Sequence, residues 1–324
     1  MFVLGFQGSP RRGGNTNFLL SKFMEAAGQS GAKTHSIFVD KKNIVPCKEY
    51  TVCEKKGFCP IDDDMTHEIY PLIRKADIIV VATPIFFYST TAQMKALIDR
   101  CQLFWARKYR LKLTDPGQGT RQGFLLAIGA TKGKNLFEGL KLTMTYFFDA
   151  VSAKYAGSLT YPGIEKPGDM KNHPAVSEDV RRAAEKLLKP FLKRKRILFA
   201  CKDNACLSQM ASAFMQHLGG DRFEILSGGL HAADSIYPAM EDVMQEIGLD
   251  MAFRKPQSIH SAVDGKPLDW LITMGDKTNI KSAKGVFTLH WDFPDHRGKQ
   301  IGFIRKLRDD IKNRVAELIV QLKQ

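Results

Sequence analysis

The chain has 324 residues, 44% hydrophobic and 25% charged, a composition and length that suit two soluble globular domains. It has no run of about 18 apolar residues and starts as a strand rather than a signal peptide, so no membrane span is expected and the cytoplasm is the expected compartment. Its net charge of +14 comes from scattered lysines and arginines without a nucleic-acid motif, so the field is expected to serve anionic cofactors and substrates and not nucleic acid.

At the N-terminus, Phe2-Val3-Leu4-Gly5-Phe6 is an apolar run of strand length. It leads into Gly8-Ser9-Pro10-Arg11-Arg12-Gly13-Gly14-Asn15-Thr16 and then into helical spacing. Such a loop aims several backbone N–H groups at one point, and the following helix adds the positive end of its dipole. The loop lacks the Gly-Lys-Ser/Thr ending of an ATP-type phosphate loop and the Gly-x-Gly-x-x-Gly of a dinucleotide fold. Ser9, Arg11, Asn15 and Thr16 suit a terminal phosphate monoester; Asn15 or Thr16 is also placed to cap the helix. Residues 77–82 and 123–129 read as buried strands, and 92–104 has helical spacing through Met94, Leu97, Ile98 and Cys101. The loop after the first of these strands carries Pro84, Ile85, Phe86 and Phe87, a flat apolar platform; the loop after the second carries Thr131, Lys132 and Gly133. At the carboxyl edge of an open sheet these loops lie where ligands bind. Phosphate loop, platform and third loop together suit a planar ring with a phosphate tail, which is FMN.

A strand at 155–160 and a helix at 176–192 follow. Lys193-Arg194-Lys195-Arg196 reads as a solvated linker at a domain junction. The strand–loop–helix then recurs: Ile197-Leu198-Phe199-Ala200 runs into Cys201-Lys202-Asp203-Asn204-Ala205-Cys206-Leu207-Ser208. Strands at 223–227, 269–273 and 286–291 alternate with helices at 239–247, which Gly248 ends, and 302–322. This alternation predicts an α/β protein of two open, doubly wound parallel-sheet domains, 1–193 and 194–324. Six cysteines in such a chain suggest thiols, metal ligands or redox chemistry and not a disulfide framework.

The first half resembles the flavodoxin-like NADPH-dependent FMN reductase family, near its iron–sulfur flavoprotein branch. The resemblance rests on Gly8-Ser9-Pro10-Arg11 through Asn15-Thr16, Asp62-Asp63-Asp64-Met65, Thr83-Pro84-Ile85-Phe86, and Met94-Lys95-Ala96-Leu97-Ile98-Asp99-Arg100. It implies FMN on the first two loops with the third near the ring, NAD(P)H as electron donor, a small-molecule or protein acceptor, and a homo-oligomer. Cys47, Cys53 and Cys59 resemble that branch's cysteine motif, but Tyr50 stands where a fourth thiol is expected. A four-iron cluster usually needs four thiolates, so no iron–sulfur cluster and no other metal is expected.

The second half resembles the low-molecular-weight tyrosine phosphatase and arsenate reductase superfamily. Cys201 takes the nucleophile position, Asn204 the loop-bracing one and Ser208 the serine; Asp295, in His290-Trp291-Asp292-Phe293-Pro294-Asp295, takes the place of the general acid. Leu207 stands at the arginine position, His296 at a proline and Gly275 at a relay cysteine. Three uses of Cys201 stay open: an altered reductase nucleophile, a redox pair with Cys206, or a loop that only binds anions or only holds structure. The expected function is an FMN-dependent oxidoreductase fused to an arsenate-reductase-like thiol domain. The alternatives are an FMN electron carrier serving a partner, and an arsenate reductase or phosphatase with a regulatory flavin domain.

Overall fold

A computed structural model describes residues 1–275, 280 and 285–322. The chain divides into two compact units, Met1–Lys112 with Gln118–Leu192, and Leu113–Gly117 with Lys193–Gln324.

The first unit runs β1 (Phe2–Gln7), α1 (Asn15–Gln29), β2 (Lys33–Phe38), α2 (Val52–Lys56), α3 (Tyr70–Lys75), β3 (Ile78–Pro84), α4 (Ala92–Arg100), α5 (Gln102–Tyr109), β4 (Gln122–Gly129), α6 (Glu138–Ala150), β5 (Lys154–Pro162) and α7 (Val176–Leu188). Its five strands pair in parallel in the order β2-β1-β3-β4-β5, which is the flavodoxin-like arrangement. β1, β3 and β4 are the near-continuous apolar runs that central parallel strands require. β2 has the sequence Lys-Thr-His-Ser-Ile-Phe with only Ile37 buried, so hydrophobic periodicity does not reveal it. Val3, Phe23, Val80, Leu126 and Leu187 share one core, in which the Phe23 and Phe124 rings stack at 5.7 Å.

Two helix expectations are corrected. The helix expected over 92–104 breaks at Cys101, whose N–H closes α4 on Leu97 and Ile98 while its carbonyl accepts from Phe104 to start α5. The helix expected to reach 192 stops at Leu188; a 3₁₀ turn over Lys189–Phe191 follows, where Pro190 has no N–H to continue the ladder.

The second unit runs β6 (Lys195–Cys201), α8 (Leu207–Gly219), β7 (Phe223–Gly229), α9 (Pro238–Glu246), α10 (Ile259–Val263), β8 (Trp270–Met274), β9 (Phe287–Trp291) and α11 (Ile301–Gln321). Its four strands are parallel in the order β7-β6-β8-β9, with Phe199, Met210, Val243, Ile272 and Ile311 in the core. Gly248, at φ +75°, ends α9: its N–H meets the Gln245 carbonyl and the Leu249 N–H meets that of Met244, a Schellman arrangement.

The charge run 193–196 is not a solvated linker. Lys195 opens β6 and Arg194 is buried, donating to the Gly220 carbonyl at 3.1 Å. Arg196 binds Glu224 and the carbonyls of Pro267 and Val263. Among the described residues, no helix is long and apolar enough to cross a membrane.

In both units the strand order reverses beside the first strand. The loops after β1 and β6 therefore open at a topological switch point, where open α/β sheets bind ligands.

Candidate functional site

The loop after β1 lies tight against its neighbours. The Gly8 N–H bonds to the Ala82 carbonyl at 2.8 Å, and the Thr91 hydroxyl donates to the Gly8 carbonyl. A Cβ on Gly8 would stand 3.1 Å from both the Ala82 oxygen and Met94 Cβ, so the approach needs glycine. Neither Asn15 nor Thr16 caps α1: Gly14 is the N-cap residue, and no side chain closes the first turn. Asn15 Nδ2 donates to the Lys166 carbonyl at 2.8 Å, and its Oδ1 accepts from the N–H groups of Gly168 and Met170. Its amide thus fastens the 166–170 segment, and the first N–H groups of α1 carry no side-chain cap. At the foot of the loop, Gln7 Oε1 accepts from the Ser9 N–H, while the buried Gln7 Nε2 has no hydrogen-bond partner in the described residues. Gln7 ends β1, between the apolar run and the glycine-rich loop, where no local pattern marks its amide.

The platform loop is held in a tight turn. Phe86 and Ser89 exchange both backbone hydrogen bonds, at 3.0 and 2.9 Å, around Phe87 and Tyr88. These two residues sit at φ +48° and +61°, the type I′ pattern that Asn-Gly ordinarily fills. Left-handed backbone costs a non-glycine residue about 1–2 kcal/mol. Phe87 is nonetheless fully exposed at the tip, 102% relative accessibility. The Ile85 N–H bonds to the Ile128 carbonyl at 2.9 Å, and the Tyr88 hydroxyl lies 3.4 Å from where a Cβ on Gly133 would be. Pro84 to Phe87 and Thr131 to Gly133 are thus joined at one sheet edge, with Lys132 packed on Gly163. An uncapped helix start, an orphaned buried amide and a strained aromatic tip fit a phosphate-bearing planar ring.

Asp63 and Arg100, two of the motif positions, form a buried two-pronged ion pair. Asp63 also accepts from the N–H groups of Val45 and Met65, both at 3.0 Å, and Arg100 donates to the Val45 carbonyl at 2.7 Å. The pair therefore pins both ends of the 46–62 segment that carries Cys47, Cys53 and Cys59. Burial and the neighbouring Cys59 and Cys47 push the Cys53 thiol up. These residues do not supply four thiolates, and Cys101 is buried between α4 and α5. Among the described residues, no group of three or more His, Cys, Asp or Glu is arranged to hold a metal ion.

In the second unit, Asn204 organises the loop after β6. It takes φ +54°, which asparagine tolerates. Its Nδ2 donates to Ser208 Oγ at 2.8 Å; its Oδ1 accepts from the Gln257 N–H and from Gln209 Nε2. Cys201 Sγ accepts the Asn204 N–H at 3.2 Å and lies 3.0 Å from Ser208 Oγ. Burial pushes the Cys201 thiol above its ordinary value, against the pull of Ser208 and Asn204. Cys206 is fully buried, and burial, reinforced by the nearby Cys201, raises its thiol further; both are free. Leu207 is buried, its Cδ1 3.2 Å from where a Cβ on Gly275 would be. Two of the three positions that depart from the family pattern thus lie side by side.

The cleft beside Cys201 is also lined by the segment after β9, from Phe293 to Arg297. There Asp295 is held by Arg297, with Nε 3.0 Å from Oδ1 and Nη2 2.8 Å from Oδ2. This fork keeps the Asp295 carboxyl far below the usual carboxylate range. His296 is buried edge-on to the Tyr237 ring at 5.5 Å, and burial lowers its imidazole. Arg297 escaped the sequence reading; its place two residues beyond the acid was the available signal. Since the thiolate is the species that reacts, alkylation of Cys201 by iodoacetamide is expected to climb about tenfold per pH unit through the neutral range and level off only above the ordinary thiol pKa. Mass-spectrometric rates at several pH values check this; a plateau already at pH 7 would contradict it.

Comparison with known proteins agrees with this geometry. Residues 1–157 match the family model for NADPH-dependent FMN reductase, and residues 196–324 that for low molecular weight phosphotyrosine protein phosphatase. An iron-sulfur flavoprotein of Methanosarcina thermophila is 36% identical over 132 residues, 41% of this chain; the chain spans 65% of that relative's length, under two thirds. A putative arsenate reductase of Halobacterium salinarum is 35% identical over 125 residues, 37% of this chain and 87% of the relative. Among solved structures, an arsenate reductase in the phosphate binding state is 28% identical with a TM-score of 0.36, over 39% of this chain and 98% of that one. The chain belongs to the arsenate reductase family, with residues 196–324 matching the low molecular weight phosphotyrosine protein phosphatase model and residues 1–157 matching that for NADPH-dependent FMN reductase.

Proposed function

We propose that the first unit is an FMN-dependent oxidoreductase driven by NAD(P)H, and that the second is an oxyanion-binding thiol module of the arsenate reductase type. The observation that carries the first reading is the convergence of three loops, after β1, β3 and β4, on one sheet edge, with α1 uncapped at its start. In this reading Ser9, Arg11, Thr16 and the first N–H groups of α1 hold the phosphate, while Asn15 braces the loop from behind. Pro84, Ile85, Phe86 and Phe87 offer one flat face, and Thr131, Lys132 and Gly133 border the ring. When bound, FMN supplies acceptance of hydride from the nicotinamide and onward delivery of electrons. The strained turn at Phe87 and Tyr88 keeps an apolar wall in place before ligand arrives, so no ordering is required at binding. The acceptor is a small molecule or a protein, and a second copy of the chain completes the flavin site. The unit boundary near residue 193 separates the two tasks.

For the second unit, the Cys201 loop presents N–H groups to a tetrahedral oxyanion, and Cys201 is its thiol. Cys201, Cys206 and Asp295 are its reactive groups, with Cys201 as the nucleophile.

The test of the first reading is the visible spectrum of the purified protein, with NADPH oxidation in the presence of a soluble acceptor. Oxidised-flavin bands and steady turnover are expected. Arg11→Ala and Thr16→Ala are each expected to weaken FMN binding by about tenfold, the worth of one charge-assisted hydrogen bond. A colourless protein that takes up no FMN overturns the reading; flavin bands without NAD(P)H turnover favour a pure electron carrier.

A further inference from the structure

We propose that Arg297 is the anion-binding cation of the second unit's cleft, taking from the segment after β9 the role that Leu207 leaves unfilled at the start of α8. This deepens the reading of the Cys201 loop as an oxyanion site and rests on it. The ligand class is a tetrahedral oxyanion such as phosphate or arsenate, held between the loop's N–H groups and the Arg297 guanidinium.

Three observations converge. The position at the head of α8 carries no charge, because the uncharged Leu207 stands there beside Gly275. Arg297 lines the same cleft as Cys201, from the segment after β9. Its guanidinium already grips two oxygens 3.0 and 2.8 Å away, those of Asp295, in the fork geometry that fits two oxygens of a tetrahedral anion equally well. The Asp295 carboxylate thus stands as an internal occupant. Both side chains of that pair are about half exposed, 54% and 50%, so water and salt weaken it and a dianion competes for the fork.

The other charges around the cleft are of both signs. Asp203 accepts the Ala205 N–H at 3.0 Å, but its Oδ1 also lies 3.8 Å from Cys201 Sγ, a negative charge that an anion-binding cation has to offset. Lys202 also lines the cleft and adds positive charge, but as an ammonium it makes no fork. One consequence is a coupling between two residues of the segment. While Arg297 grips it, Asp295 is ionised and has no proton to give. When Arg297 turns to the anion, that hold is released.

Binding of inorganic phosphate, and separately of arsenate, to the full-length protein tests the assignment, read by calorimetry and by protection of Cys201 from alkylation. Arg297→Met is expected to weaken both by about tenfold or more, and Arg297→Lys by less, as one charge-assisted fork is lost or reduced to a point charge. Asp295→Asn removes the internal occupant and is expected to tighten phosphate binding, a gain that misfolding does not produce. Leu207→Arg placed on Arg297→Met is expected to recover binding. Arg305 on α11, paired with Glu246 at the end of α9, is the control, and Arg305→Met is expected to leave binding unchanged. Unchanged affinity in folded Arg297→Met, with no gain in Asp295→Asn, overturns the role of Arg297 while the oxyanion reading stands. A wild-type protein that binds neither anion at millimolar concentration overturns that reading and the proposal with it.

Discussion

Leu207→Arg is expected to raise turnover of an aryl phosphate by about 100-fold, since one oxyanion-stabilising group is typically worth two to three orders of magnitude in rate. The rest of the cradle is already built. Asn204 holds its left-handed turn, Ser208 touches the Cys201 sulfur, and the Asn204 N–H points at it. A fork-forming guanidinium is what the loop itself lacks, and burial dominates the Cys201 thiol. A guanidinium at 207 adds positive charge beside that sulfur, so the thiol pKa is expected to fall together with the gain in rate. Leu207 already lines the cleft beside Gly275, so a longer side chain at this position is expected to reach into it. Hydrolysis of p-nitrophenyl phosphate by wild type, Leu207→Arg and Leu207→Arg with Cys201→Ser measures the effect. The triple comparison matters because the gain must vanish with the sulfur. A folded Leu207→Arg no faster than wild type would show that the loop no longer cradles an anion. The gain is expected to be larger in an Arg297→Met background, because two cations serving one anion are not additive.

Asp63→Ala is expected to be the more damaging change to the fold. Removing one member of a buried ion pair typically costs about 3–5 kcal/mol, because the other charge stays buried without compensation. Here the loss is compounded. Asp63 is the acceptor for Arg100 and for two backbone N–H groups, Val45 and Met65, and burial prevents water from replacing it. Arg100→Met is expected to cost less, since Asp63 then keeps both backbone donors. With a unit of this size, a cost of 3–5 kcal/mol lowers the melting temperature by about 6–20 °C. Thermal denaturation followed by circular dichroism checks the ranking Asp63→Ala below Arg100→Met below wild type. A drop under about 2 °C for Asp63→Ala would mean that the pair contributes little.

The architecture was legible where burial imposes periodicity. β1, β3, β4 and β6 are apolar because both faces of a parallel sheet are covered, and the alternation with helices follows from the crossover connections. The Cys201 loop was legible because its residue types are fixed by what they bond: a cysteine, an asparagine in left-handed backbone and a serine within reach of the sulfur. What escaped has an equally physical origin. That the Asn15 amide braces the 166–170 segment has no local signature, because its partners Lys166, Gly168 and Met170 lie some 150 positions along the chain. The run 193–196 looked solvated because sequence shows charge and not burial; the acceptors of Arg194 and Arg196 are carbonyls and a carboxylate from distant loops. Arg297 went unnoticed because its significance depends on an absence at 207 and on a cleft that only the fold creates.

β2 has a consequence of its own. The strand that periodicity could not reveal is the outer strand of a five-stranded sheet, and a bare outer strand is a template on which another chain can add a strand. Lys33, Thr34, His35 and Ser36 are all exposed there, so an incoming apolar strand would meet a hydrated, partly charged rim. The opposite edge is guarded differently: the pairing of β5 with β4 slips by a bulge, and Gly157 takes φ +131° at that irregularity. Polarity at one rim and irregular pairing at the other resist aggregation through open-ended strand addition. The same choice explains why Lys33 to Ser36 resemble a loop when read as letters. A sheet that ends safely has to end in residues that do not look like sheet.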